Sequence, residues 1–492
     1  MALTIEQQPT ATIPQPAYEP IVYVLSSSVV TNFKFRFVAD VLVDGSRVAR
    51  IKVLPNPNNV GVIRCDQIIS QYLDATIEDQ NTAGYTVHTL GENDGTKLIS
   101  ISNGETFRTI ELQFGEEFAT TATGTPTLTI SSTGNLVRVL PAVGSNIGDK
   151  TALKMPNDEG GSFNVVAGDD DWLSITQPLS AGKRFLTTRP VSDTLITDTA
   201  LSGIHVIQEA VTYEDYRTLS FVADNSVALG TLYLIIDTVD LNGVANRFQD
   251  TLTDLGGVQP SAANTDAKRL QYIGIGPANI LGYNTTIDAD FAARRVAYYE
   301  VFLSNSSNPT NGSQVRTQPI RYNVISADCM YKQEARYPSL VQTANEKINY
   351  ATLIWQNTLG GWDYQTFAKR HDRTLKDIKR TTYDSIAGNY STASSSVDFR
   401  IKGWTGGKTV TKTTGRQEIR ANTDVFNEDE IEFLEGLQIS PRVYLMNYNK
   451  RNAITPVVIK DTSFIRKKGV NEQGVFTMSV TFEFAREKAT VR

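Results

Sequence analysis

The stretch Phe33-Lys34-Phe35-Arg36-Phe37-Val38-Ala39-Asp40-Val41-Leu42-Val43 decides how this chain is read. Phe33, Phe35, Phe37, Ala39, Val41 and Val43 occupy every second position, with Lys34, Arg36 and Asp40 between them. Successive side chains of a strand point to opposite faces, so a period of two in β-forming residues predicts a half-buried strand. Asp44-Gly45 supplies the tight turn, Arg47 to Leu54 returns as a second strand, and Pro55-Asn56-Pro57-Asn58 ends it.

Outward from this hairpin the pattern stays β. A short helix or turn is expected around 66–72. Strands are expected at 98–102 and 106–114, with Asn103-Gly104 as a hairpin turn between them. Residues 18–117 then read as one antiparallel sandwich of immunoglobulin or fibronectin type III character. Before it, residues 1–17 carry Pro9, Pro14 and Pro16 and no periodicity, which predicts an extended arm, free or lying on a neighbouring subunit. After it, residues 118–212 are rich in Thr, Ser and Gly and read as a β insertion domain with a strand at 127–130. Gly168-Asp169-Asp170-Asp171-Trp172 places three acids side by side, whereas a calcium loop spaces its ligands alternately, so a solvated turn is the reading.

Residues 213–330 form a second predicted sandwich, with strands at 219–222, 231–239, 270–275, 296–305 and 316–324. Residues 331–492 read as a C-terminal α+β, barrel-like domain with one clear helix over 428–438. Asn427 is its expected cap, with Glu430 three positions on. Ile431, Leu434 and Leu437 with Phe433 form its apolar stripe, and Ser440-Pro441 stops it. Strands follow at 443–446 and 456–460, and Phe476, Met478, Val480, Phe482 and Phe484 alternate along a closing strand. The fold class expected is mainly β: several antiparallel sandwiches plus this C-terminal domain.

Composition narrows the function classes. The chain has 492 residues, 40% hydrophobic and 20% charged, with no run of 18 apolar residues to cross a membrane. Met1 to Ala17 lacks the basic and apolar regions of a secretory signal, which points to synthesis in a cytoplasm and to release by another route, such as lysis. Cys65 and Cys329 read as two buried thiols rather than a disulfide. His88, His205 and His371 show no metal-ligand spacing, and so few histidines argue against acid–base catalysis. Gly274-Ile275-Gly276-Pro277 lacks the third glycine and the βαβ setting of a dinucleotide loop. No P-loop, His-Glu-x-x-His or Gly-x-Ser-x-Gly element occurs. These readings give no catalytic residues, no cofactor and no metal.

Two segments could recognise a partner. In Trp355-Gln356-Asn357-Thr358-Leu359-Gly360-Gly361-Trp362-Asp363-Tyr364 aromatics flank a Gly-Gly turn. Trp355, Trp362, Asp363 and Tyr364 would bind a host-surface glycan if exposed. The structural reading, preferred here, pins a hairpin into the core, with Asp363 bonding back to the turn. The basic run Lys369, Arg370, Arg373, Lys376, Lys379 and Arg380 follows. Aromatic interleaving is thin and the whole chain is acidic, so Arg370, Arg373, Lys376, Lys379 and Arg380 read as a subunit interface or solvated face, not a nucleic-acid site. Charge is uneven: residues 1–330 hold 22 Lys+Arg and 35 Asp+Glu, a net −13, while residues 331–492 hold 25 and 18, a net +7. Such asymmetry is read first as two domains with different surfaces, and otherwise as a basic face that docks onto an acidic partner.

Several of these residues carry a resemblance. Phe35-Arg36-Phe37-Val38-Ala39-Asp40-Val41, Pro55-Asn56-Pro57 before Gly61, and Asn357-Thr358-Leu359-Gly360-Gly361-Trp362-Asp363 resemble a family of virion structural proteins of tailed bacteriophages, notably those infecting Bacteroidetes. So do Ser440-Pro441-Arg442-Val443-Tyr444, Pro456-Val457-Val458-Ile459 with Asp461, and Thr481-Phe482-Glu483-Phe484-Ala485. The resemblance implies a non-enzymatic tail hub, ring or baseplate subunit. Its expected partners are other virion proteins in a cyclic homo-oligomer, and its expected location is the virion. A receptor- or carbohydrate-binding tail protein is the alternative.

Overall fold

The computed structural model describes residues 3–9, 15–80, 82–91, 97–142, 185–195, 205–222, 232–252, 270–283, 289–310, 314, 317–325, 351–367, 369–385, 388–391, 398–401, 407–425, 428–446, 454–461 and 476–491. The fold is mainly β, built from several largely antiparallel sheets with few helices. The chain divides into two compact units. One comprises Met1–Cys329 together with Gln356–Asp363, the other Met330–Trp355 together with Tyr364–Arg492. Cys329, Asn427 and the acidic segment 168–172 lie outside the described residues.

In the first unit, Phe33–Val43 pairs with Ser46–Val53 on one side and with Arg108–Ala119 on the other. Phe35, Phe37, Ala39, Val41 and Val43 enter a core with Tyr23, Ile63, Leu112, Phe114 and Val139. Phe33 breaks the expected alternation and is 53% exposed. Lys34 takes a left-handed conformation (φ 56°) and the register shifts between Phe33 and Arg36, so the bulge turns Phe33 away from the core. The opposite face is not plain solvent either: Val38 and Asp40 are buried. Arg50 donates to Asp40 from Nε (2.5 Å) and Nη2 (2.7 Å), and these bonds hold the carboxyl below the usual carboxylate range. Gly61 lies so close to Phe37 that a Cβ there would stand 2.4 Å from the ring.

Three expectations need correction. Residues 3–7 are not a free arm: Leu3–Gln7 pairs with Val22–Ser27 in the chain's own three-stranded sheet, and Gln15–Pro16 pairs with Val137–Leu140. Asn103-Gly104 does not close a hairpin. Asn103 Oδ1 instead accepts bonds from the Glu105 and Thr106 amides, and this turn sends the chain from one sheet to another. Ile99–Ile101 pairs with Leu270–Gly274, while Arg108–Ala119 pairs with Phe33–Val43. A boundary at 117/118 would cut the strand Arg108–Ala119, along which Thr127–Thr133 also pairs.

The rest of this unit is a six-stranded sheet in the order Val191–Leu195, His205–Val211, Ile320–Val324, Val296–Ser304, Tyr233–Asp240, Ala245–Thr251. His205–Val211 therefore belongs with the later strands, and its pairing with Ile320–Val324 is parallel. A three-stranded sheet of Thr218–Val222, Leu270–Gly274 and Ile99–Ile101 shares the core, which includes Leu234, Ile236, Ile273, Tyr299 and Tyr322. Gly274-Ile275-Gly276-Pro277 is the end of a strand leading into the short helix Pro277–Gly282.

The second unit centres on one sheet in the order Trp362–Phe367, Ala351–Gln356, Val443–Met446, Ile454–Ile459, Phe476–Phe484, Gly407–Val425, Lys369–Ser385, with Lys488–Val491 also paired to Gly407–Val425. The helix Glu428–Ile439 forms as expected and buries Ile431, Phe433, Leu434 and Leu437 among Leu353, Trp355, Ile419, Val480 and Phe482. Phe433 meets Trp355 at a ring separation of 5.0 Å.

Candidate functional site

The Gly-Gly hairpin is a buried plug. Trp355 is 0% exposed, Trp362 2%, Asp363 3% and Tyr364 5%. No aromatic face is left open to stack on a sugar, so burial overturns the glycan-binding role of these residues. The tip, 356–363, belongs to the first unit, and its chemistry is that of a hydrogen-bond network around Asn357 and Asp363. Asn357 Oδ1 accepts from the amides of Leu359 (3.0 Å) and Gly361 (2.9 Å), which shapes the turn. Its Nδ2 donates to Leu186 O (2.9 Å) and Asp363 Oδ2 (3.0 Å). Asp363 also accepts from Thr187 Oγ1 (2.5 Å), Thr188 Oγ1 (2.6 Å) and the Thr188 amide (3.0 Å). Burial pushes the Asp363 carboxyl up, against the pull of these donors. Only glycine fits at 361, because a Cβ there would meet Leu186 O at 2.2 Å. Trp362 Nε1 donates to Thr76 O (3.2 Å), and its ring stands edge-on to His88 at 5.0 Å. Burial holds the His88 imidazole neutral, down to about 3.

A second buried polar cluster of this unit is ion-paired. In the first unit Arg217 Nε reaches Glu209 at 2.6 Å, with Asp215 3.7 Å from Nη1 and Arg189 3.6 Å from Glu209. The buried acids here serve an arginine rather than forming a free carboxylate pair. Cys65 is buried, and burial pushes its thiol up to about 12. Among the described residues no group of three His, Cys, Asp or Glu side chains could hold a metal ion, and no helix is long and apolar enough to cross a membrane.

The basic run lies in a different setting. Lys369–Ser385, 17 residues long, is the outermost strand of the second unit's sheet and pairs with the 19-residue Gly407–Val425. At about 3.3 Å per residue the shorter strand spans roughly 55 Å. Phe476–Phe484 covers Gly407–Val425 only over 418–425, and Lys488–Val491 only over 412–415. Beyond that, over 407–411, the two strands run on as a ribbon, and between them in sequence Gly388–Ser391 pairs with Asp398–Ile401 in a separate two-stranded sheet. Every residue from 372 to 384 is exposed, apolar Leu375, Ile378 and Tyr383 among them.

The structure thus brings Arg373, Lys376, Lys379 and Arg380 onto one projecting strand; Arg370 shares it, its side chain falling outside the described set. Gly407–Val425 adds Lys408, Lys412 and Arg416, which sequence reasoning missed; the alternation of Thr409, Thr411 and Thr413 was the available signal. Lys376 pairs with Glu418, and Arg416 with Glu483 (3.1 Å) and Glu487 (3.4 Å). Lys379, Arg380, Lys408 and Lys412 make no ion pair among the described residues. No protein-family model matches this chain, and no curated protein sequence matches it.

Proposed function

We propose that this chain is a non-enzymatic structural subunit of a tailed-phage virion, a tail hub, ring or baseplate component working through protein–protein interfaces. The observation that carries the reading is the long exposed edge strand Lys369–Ser385, whose outer end runs on with 407–411 as a two-stranded ribbon. A two-stranded ribbon in water is marginal by itself, because it has no second layer to bury its side chains. The edge strand also presents Leu375, Ile378 and Tyr383 to solvent. Such a surface gains stability when a neighbouring subunit covers it. The resemblance in the opening strand, the Gly-Gly hairpin and the closing strands supplies the virion setting, and closed rings are the usual outcome of repeated identical contacts.

A receptor-binding role gains nothing from the hairpin aromatics, which are buried. The test is mass photometry over a range of concentrations, with cryo-EM of the assemblies, on the whole chain and on a variant whose ribbon beyond Thr381 and Lys412 is replaced by a short turn. The whole chain is expected to form rings or join particles. The shortened chain is expected to keep a cooperative thermal unfolding transition and stay monomeric. A whole chain that stays monomeric and joins no particle would sink the proposal.

A further inference from the structure

The ribbon offers three surfaces to a partner: its free edge, its exposed apolar side chains and its cations. The edge is guarded. The ladder between Lys369–Ser385 and Gly407–Val425 shifts register between Lys369 and Asp372, between Lys376 and Lys379, and between Thr381 and Thr382. Asp377, in the second shift, has φ 51°. Bulges and lysines along an edge strand are the features that keep it from templating another strand. Regular pairing runs unbroken for only a few residues at a time, a poor match for a long added strand.

The cations are arranged differently. Lys376 stands directly opposite Arg416, Lys379 opposite Thr414, and Lys412 opposite Thr381. Cross-strand partners share a face, and Lys412, Thr414 and Arg416 alternate along one strand. Lys376, Arg416, Lys379 and Lys412 therefore share one face within about 13 Å. Like charges directly opposite each other destabilise a ladder. Nearby acids relieve only the inner rung: Glu418 for Lys376, and Glu483 with Glu487 for Arg416. Lys379 and Lys412, further out, face threonines and make no ion pair among the described residues.

We propose that this face docks on carboxylates of residues 1–329 in a second copy of the chain, by face-to-face contact rather than by adding a strand to the free edge. The inference rests on the ring-subunit reading above. Charge favours a second copy over a phosphate backbone: residues 1–330 carry a net −13, which repels a polyanion and attracts a cationic ribbon. Contacts of this kind also set register and steer encounter between identical subunits.

Mixed heavy- and light-isotope full chains, coupled with a zero-length carbodiimide reagent, test it together with mass photometry at about 50 mM and about 500 mM salt, where screening differs strongly. Mixed-isotope cross-links from Lys379 or Lys412 to acids of residues 1–329 are expected. Assembly should weaken at least about tenfold at the higher salt, since exposed charge contacts are screened. The pair Lys379→Glu and Lys412→Glu should abolish assembly, and the pair Lys379→Gln and Lys412→Gln should weaken it; both change exposed residues and are checked for fold by circular dichroism. Assembly that is indifferent to salt and to both pairs overturns the docking inference and leaves the subunit reading standing. Cross-links confined to one copy, or duplex DNA retained by the wild type and lost on charge reversal, overturn it in favour of an internal contact or a phosphate partner. A chain that stays monomeric without cross-links overturns it, and if that chain also joins no particle the subunit reading falls with it.

Discussion

Asp363 Oδ2 accepts two hydrogen bonds from Thr188, one from the amide at 3.0 Å and one from the hydroxyl at 2.6 Å. With Thr187 on Oδ1 and Asn357 Nδ2 beside them, one buried carboxyl serves donors far apart in sequence. Asp363→Ala leaves those donors buried without an acceptor, which should cost on the order of 3 kcal/mol. Thr187→Val removes one donor and should cost about 1 kcal/mol. Urea unfolding followed by tryptophan fluorescence checks both; an Asp363→Ala midpoint equal to wild type contradicts the network.

Acid should weaken the first unit through His88. Its unfolded imidazole takes up a proton near 6.5, whereas the folded one resists to about 3. The unfolded state thus binds more protons as pH falls between these values, and stability is lost on that descent. The loss from this group between pH 7 and pH 5 should be about 2 kcal/mol. His88→Gln should flatten the slope of melting temperature against pH over that interval. An unchanged slope would show that other groups dominate it.

Gly61 and Phe37 occupy one space. Gly61→Ala drives a methyl into the Phe37 ring and should destabilise by about 1–3 kcal/mol, the usual cost of overpacking. Adding Phe37→Leu should recover part of this, so that the double variant loses less than the two singles together. Strict additivity in a double-mutant cycle would refute the close approach.

Gly436 sits inside the helix Glu428–Ile439, and a Cβ there would lie 3.5 Å from Trp355 Nε1, an ordinary contact. Gly436→Ala should therefore stabilise by up to about 1 kcal/mol through backbone entropy alone. Calorimetry should show a higher melting temperature; a lower one would mean that the helix surface at 436 is closed to a methyl group.

What could be read from the sequence followed how one-sided each element's environment is. Phe476–Phe484 and the helix Glu428–Ile439 bury one face or stripe, and their periodicity announced them. Phe33–Val43 was visible for the same reason, but the bulge at Lys34 was not, because nothing in Phe-Lys-Phe marks a left-handed residue. The strand Lys369–Ser385 escaped notice because a ribbon exposed on both faces needs no apolar alternation at all. The Asn103 turn misled because a hairpin and a crossover between sheets use the same turn chemistry. Of the candidate site, the hairpin's buried role was legible from its aromatics, whereas the partnership of Lys376 with Arg416 depends on register, which charge alone does not specify.

The placement of Gln356–Asp363 in the first unit also bears on the order of synthesis. When residue 329 is added to the growing chain, Thr187, Thr188 and the Leu186 carbonyl still lack the side chains that satisfy them, since Asn357 and Asp363 are not yet made. At roughly 5–20 residues per second the wait is a few seconds. The first unit cannot close before the chain has already entered the second, so the two are committed together during translation, and a chain that stops at residue 329 would be born with a gap in its interior.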